Sequence, residues 1–264
     1  MVSILFVADI VGSRGVQTAL LALKRLREKG IHFDYCFANG ENLKGGRGLD
    51  RNPARRLFEN GVDALTTGNH VWDRQSDSEL LDDPRVLRPA NYPDGVRGKG
   101  FAVYNKSGLP PVTLINVQGR TFLFPIDCPF RTLDRVLDEP EVQDCPIRIV
   151  DVHAEATAEK QALGWYLAGR VTAVIGTHTH VQTADERLLD GGTGYITDVG
   201  MTGSHLGVIG AERSVSIERF LHQLPLPMQL AKGAEIFHAV LLSVNETNGQ
   251  CESIHRISEP IDLP

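Results

Sequence analysis

The chain alternates short apolar runs with amphipathic stretches along most of its length. Val2–Ala8 is a nearly unbroken apolar run of strand length, the pattern of a strand covered on both faces. Val16–Lys29 carries Leu20, Leu21, Leu23 and Leu26 near helical spacing, with charged residues interleaved and Gly30 as a stop. Tyr35–Ala38 and Val62–Thr67 predict two further strands, with a short helix over Pro53–Asn60 between them. Gln75–Leu81 predicts one or two helical turns, broken by Pro84.

The middle of the chain changes character. Gly100–Tyr104 and Val112–Val117 predict strands joined by the Gly/Pro loop Asn105–Pro111, as in a β-hairpin. Strands are then expected at Ile147–Val152, Val171–Gly176 and Gly194–Thr197, and helices at Glu155–Ala168 and Ser214–Gln223. Leu224–Met228 holds two prolines and predicts a connector, and Glu235–Val244 with Glu252–Ile257 predicts a closing hairpin around Asn245–Gly249. βαβ units at the start and hairpins in the middle and at the end give strands of mixed direction. The expected fold class is therefore α/β, with two packed mixed sheets flanked by helices. No repeat or linker interrupts residues 1–264, so a single domain is expected.

Composition narrows the function classes. Of 264 residues, 42% are hydrophobic and 23% charged, enough for a sizeable core. The formal net charge of −6 argues against broad binding to duplex nucleic acid, whose affinity depends on neutralising phosphates. No apolar run approaches the length of a membrane span, and MVSILFVAD lacks the basic start and small-residue cleavage site of a secretory signal. Cys36, Cys128, Cys145 and Cys251 are scattered without a C-x-x-C pair, which predicts reduced thiols and a cytoplasmic protein.

The chemistry sits where apolar strands end. Asp9 follows the first run, Glu41 and Asn42 the second, Asn69 and His70 the third, His153 the fourth, and His178 and His180 the fifth. Ligands of α/β sheets bind beyond the carboxyl ends of strands, and five such ends share residues able to bind metal or move protons. Carboxylates, carboxamides and imidazoles without nearby thiolates suit manganese, iron, zinc or cobalt rather than a structural zinc. His178 and His180 share a face if their strand continues. The set is large enough for two ions, and two close ions need a bridging carboxylate, which Glu41 or Asp9 could supply. Ions about 3.5–4 Å apart would activate a water and hold phosphoryl oxygens.

Other features read differently. Asp151 lies two residues before His153 and is either a supporting carboxylate or an exposed one. His205 is a candidate pocket residue, whereas His32, His222, His238 and His255 sit in patterns without partners. Gly45-Gly46-Arg47-Gly48 lacks the ending of a P-loop and reads as a turn near the metals. Lys44, Arg47, Arg74, Arg120 and Arg131 are candidates for substrate-binding charge, each competing with a plain solvated role.

Gly68-Asn69-His70, Gly176-Thr177-His178-Thr179-His180 and the early Asp9 resemble the calcineurin-like metallophosphoesterase superfamily. ADIVGSRG, NGENLKGGRGL, LTTGNHVWD, DVHAEATAEK, GTHTHVQTAD and YITDVGMTG resemble its bacterial 2′,3′-cyclic-nucleotide phosphodiesterase branch more closely, from about residue 2 to 257. Position 11 is Val11 where the wider superfamily has a histidine, and Glu41 stands where it has a bridging aspartate; the branch shares both changes.

The resemblance implies a four-layer α/β/β/α sandwich and two ions, iron or manganese. Asp9, Glu41, Asn42 and His180 would hold one ion and Glu41, Asn69, His153 and His178 the other, with Glu41 bridging. His70 would be the proton donor to the leaving oxygen, and the substrate a small phosphate ester, a cyclic nucleotide. A homo-oligomer is also implied. The same residues leave two rivals, a phosphomonoesterase or 5′-nucleotidase and a non-catalytic metal-binding scaffold. Two divalent ions would place positive charge in one pocket, so the net charge does not exclude an anionic substrate.

Overall fold

The computed structural model describes residues 1–73 and 75–263. Its elements run β1 (Val2–Val7), β2 (Asp9–Ile10), α1 (Gly12–Glu28), β3 (Tyr35–Asn39), α2 (Arg51–Glu59), β4 (Ala64–Thr66), β5 (Phe101–Tyr104) and β6 (Val112–Gln118). They continue with α3 (Pro129–Leu137), α4 (Pro140–Gln143), β7 (Ile147–His153), α5 (Thr157–Leu167), β8 (Ala173–Thr177), β9 (Arg187–Leu189) and β10 (Thr193–Ile196). β11 (Met201–Ser204), α6 (Arg213–His222), β12 (Glu235–Val244) and β13 (Cys251–Pro260) complete the order. The turn expected at Gln75–Leu81 is a 3-10 helix at Ser78–Asp82.

Two mixed sheets result. The first has the order β2-β11-β12-β1-β3-β4, with β13 on β12, and the second the order β5-β6-β7-β8-β10-β9. β1, β3 and β4 run parallel in the first sheet, and β6, β7, β8 and β10 run parallel in the second. The hairpins expected at β5–β6 and β12–β13 are both antiparallel pairs.

Side-chain alternation sorts the core into three layers of contact. Ile4 and Phe6 of β1 and Phe37 of β3 face Leu114, Ile149 and Ile175 of the second sheet. Leu5, Val7, Cys36 and Ala38 point the other way, onto Leu23 and Leu26 of α1 and Leu57 of α2. Val117, Val152 and Val174 pack beneath Leu133 of α3 and Leu163 of α5. Helices, sheet, sheet and helices thus form an α/β/β/α sandwich, as the strand pattern and the resemblance implied. Removing a ring from the inter-sheet layer, as in Phe6→Ala, would cost about 3–5 kcal/mol.

Residues 100–145, which could have formed a separate cover, mostly build this body. They supply β5 and β6 and then α3 and α4, with Leu133, Val136 and Val142 buried against the second sheet. The three buried cysteines are part of the core, and burial pushes the thiols of Cys36 and Cys251 up to about 12, so they are unreactive. Among the described residues no helix is long and apolar enough to cross a membrane.

Candidate metal centre

The parallel strands of both sheets end at one side of the sandwich, and the predicted donors follow those ends. Asp9 and Glu41 follow β1 and β3, while Asn69 and His70 lie just beyond β4. His153 closes β7 and His178 follows β8. Asp9, Glu41, Asn42 and His153 are 0–2% exposed. Asp9 does not cap α1, whose first turn follows Val11; its Oδ2 instead accepts the backbone N–H of His178 at 2.9 Å. Gly68 has a steric reason to be glycine, because a Cβ there would run into the His153 ring.

The strand carrying His178 does not continue to His180. β8 stops at Thr177, and His178 and His180 both take left-handed backbone angles, φ 98° and 64°. The same-face expectation is therefore corrected: a tight turn, not strand alternation, brings the two rings to the site. Such conformations cost about 1–3 kcal/mol each and need outside support. Asp198, beyond β10, supplies it, accepting the Thr179 N–H at 3.0 Å and the Thr179 hydroxyl at 2.7 Å. Lys160 of α5 donates to the same carboxylate at 2.6 Å, and both partners are 1% exposed.

The hydrogen bonds around the imidazoles fix which nitrogen faces inward. Thr177 donates its hydroxyl to Asp151 at 2.7 Å, so at 2.9 Å it accepts from His153 Nδ1 and leaves Nε2 toward the site. His180 Nδ1 donates to the Ile209 carbonyl at 2.9 Å, leaving Nε2 facing Asn42 at 2.9 Å and Asp9 at 4.0 Å. His178 Nε2 contacts Glu155 at 3.0 Å, which turns Nδ1 toward His153 Nε2, also at 3.0 Å. Around His153 Nε2 also lie Asn69 Oδ1 at 3.0 Å and Glu41 Oε1 at 3.2 Å. Four acceptor atoms thus converge on one point, an arrangement that calls for a proton or a cation between them.

The charges tell the same story. Burial raises Asp9 well above the usual carboxylate range, with Glu41 and Asp198 adding to the effect. Burial opposes ionisation of Glu41 too, but the facing His153 and then His70 outweigh it and hold it at about 2. Burial would lower His153, yet Glu41 and Asp9 raise it to about 9. Burial, helped by His153, lowers His178 to about 3, and burial lowers His180. Neutral imidazoles beside buried carboxylates are metal donors. Two further oxygens support this: among the described residues, Asp9 Oδ1 and Asn42 Oδ1 are buried without a hydrogen-bond partner. Glu41, His153 and His178 place one donor atom each within 4.8 Å of one another.

Comparison with known proteins decides the family. The profile of the YmdB-like proteins matches residues 5–257. The chain belongs to the YmdB-like family. A Bacillus subtilis (strain 168) relative named 2′,3′-cyclic-nucleotide 2′-phosphodiesterase is 44% identical over 255 residues, covering 96% of each chain. A protein of Thermus thermophilus, described as hypothetical, superposes with a TM-score of 0.90 at 42% identity, covering 98% of this chain and 99% of its own. A Mycoplasma pneumoniae structure described as a novel phosphatase also gives 0.90, at 30% identity over 100% of this chain and 95% of that one.

Several residues of this YmdB-like site were not legible beforehand. Asp73 accepts from His70 Nδ1 at 3.0 Å, while the His70 backbone N–H donates to Glu41 at 3.1 Å. Asn39 donates to Asp151 at 3.1 Å and accepts the Glu41 N–H at 3.1 Å. Only the position of Asn39, three residues before Asn42 at a strand end, could have drawn attention to it. Asp151, left open by the sequence, is a buried supporting carboxylate.

The site opens into a cavity of about 780 Å³ lined by Glu41, Asn42, His70, His178 and His180 at one end. Gly46 and Arg47 line it as well, so the Gly-rich turn does lie beside the donors. The remaining basic candidates sit elsewhere: Arg120 donates to Cys128 at 3.4 Å, and the exposed Arg131 reaches Asp134 at 4.0 Å. Lys44 is not among the cavity-lining residues, and Arg74 lies outside the described residues. His205 packs edge-on against His238 at 4.9 Å and contacts the Met201 carbonyl at 3.1 Å, away from the cavity lining.

Proposed function

We propose that this protein is a di-metal phosphodiesterase acting on 2′,3′-cyclic nucleotides. The observation that carries this reading is the buried donor set, in which Asp9 Oδ1 and Asn42 Oδ1 have no hydrogen-bond partner among the described residues. Asp9, Glu41, Asn42 and His180 would hold one ion, and Glu41, Asn69, His153 and His178 the other, with Glu41 shared. When bound, the ions supply charge to stabilise phosphoryl oxygens and lower the pKa of an attacking water. Iron and manganese suit these nitrogen and oxygen donors.

Hydrolysis forms one bond from water oxygen to phosphorus and breaks the bond from phosphorus to O2′, leaving a 3′-phosphate. The departing O2′ needs a proton, and we assign that donation to His70. Asp73 holds its Nδ1, which orients the ring and leaves Nε2 as the delivering atom. Asp198 and Lys160 hold the turn between His178 and His180 in place for both ions.

The domain is taken as 1–264, since the donors run from Asp9 to His180 and no cut between them leaves a complete site. A cytoplasmic homo-oligomer without duplex nucleic-acid or membrane partners completes the proposal. Sedimentation of purified protein tests the oligomer; a monomer would overturn that part.

The phosphatase description of the Mycoplasma pneumoniae structure favours one second reading, a phosphomonoesterase using the same donors. Comparing bis-(p-nitrophenyl) phosphate with p-nitrophenyl phosphate separates the two. Faster hydrolysis of the diester is expected, and preference for the monoester would replace the proposal.

A further inference from the structure

β11 and β12 are antiparallel neighbours, a pairing that two turn residues can close. Here residues 205–234 lie between them and carry α6. This excursion reaches the metal donors directly, since its Ile209 carbonyl accepts from His180 Nδ1 at 2.9 Å. It also supplies more than half of the residues lining the cavity.

The excursion's chemistry differs from that of the donor end. Val208, Ile209, Leu224 and Met228 make its side of the cavity apolar. α6 contributes Ser216, Arg219 and Phe220 to the lining, one helical face, and Gln223 just past its end adds a fourth residue. Phe220 is 75% exposed, although it lines a concave cleft rather than a convex surface. Such a ring is unfinished packing that a flat partner can complete. At about 780 Å³ the cavity is far larger than a phosphate needs and falls within the range of about 300–1,000 Å³ typical of small-molecule sites.

We infer that the 205–234 excursion is the nucleoside-recognition wall, with Phe220 stacking on the base of a nucleotide whose phosphate sits at the donor end. The inference rests on the proposed function for its choice of a nucleotide. Arg219, next in sequence and on the same lining face, adds a cation beside the stacked base. Ile217 and Leu221 of α6 are also exposed but do not line the cavity, so they serve as internal controls.

The test is equilibrium binding to metal-replete protein, which needs no turnover. Adenosine 3′-monophosphate is compared with inorganic phosphate. Wild type should bind the nucleotide more tightly, and Phe220→Ala should shrink that preference by about five- to 150-fold, the range of base–aromatic stacking. Phe220→Trp should restore it, and Ile217→Ser should match wild type. Equal binding of nucleotide and phosphate by wild type, or an unchanged preference in Phe220→Ala, would overturn the inference. So would a shift in sedimentation shared by Phe220→Ala and Ile217→Ser, which would make the face a contact between copies. Failure of the proposed function reads out separately, as base-dependent binding without hydrolysis of the 2′,3′-cyclic nucleotide.

Discussion

The two ends of the cavity are built in opposite ways. At the donor end Glu41, Asn42 and His178 follow strands of two packed sheets, and Asp9 and His153 beside them are fully buried. At the far wall α6 buries only Ser216, and Phe220 and Leu224 are 75% and 55% exposed. The difference follows from what each end must do. Buried carboxylates and imidazoles must be held before any ligand arrives, because rearranging charge in a dry interior is expensive. An apolar wall can stay open, since a bound ligand itself completes the burial.

The largest effect is expected from removing Glu41, the carboxylate proposed to be shared. Glu41→Ala should lose bound metal and turnover together, as read by elemental analysis and hydrolysis of a cyclic nucleotide. Retention of both would end the site assignment. His70→Ala is next: metal content should stay, while kcat falls about 10²- to 10⁴-fold. Asp198→Asn should weaken metal binding about 10- to 100-fold by loosening the His178–His180 turn, measured by competition with a chelator. Lys160→Met should weaken it in the same direction.

A smaller effect concerns pH. In chelated protein the His153 ring is held protonated up to about 9 by Glu41 and Asp9. Its folded value lies above the ordinary 6.5, so its contribution is complete below 6.5 and is lost as pH rises through 9. The Tm of chelated protein should therefore fall between pH 7 and 9, and the decline should be shallower in metal-replete protein. The smallest change belongs to the wall: Ile217→Ser should alter stability by less than about 0.5 kcal/mol, read by denaturant titration.

The contrast also separates what the sequence reveals from what it hides. A parallel strand buried on both faces is a bare apolar run, so the residue that follows it is conspicuous, and Asp9, Glu41, Asn69, His153 and His178 stand out this way. The short strands β2, β9 and β11 have no such run and leave no mark. The apolar pattern does not mark α3, although Pro129 opens it, a start signal at the first helical position.

Supporting residues are hidden for a different reason. Lys160 and Asp198 are 38 positions apart and meet only because α5 packs against β8, whose neighbour β10 leads into Asp198. The left-handed turn at His178 and His180 depends on that meeting, so strand alternation could not foresee it. Ser214–Gln223 was legible as a helix, but only the fold turns one of its faces toward the donors.

The buried donor set makes this protein a metal-dependent phosphodiesterase. The most direct measurement is hydrolysis of adenosine 2′,3′-cyclic monophosphate by purified protein, before chelation, after chelation and after iron or manganese is restored. Hydrolysis to adenosine 3′-monophosphate is expected, with its loss on chelation and its return with metal. Hydrolysis that survives complete chelation, or none in metal-replete protein, would contradict it.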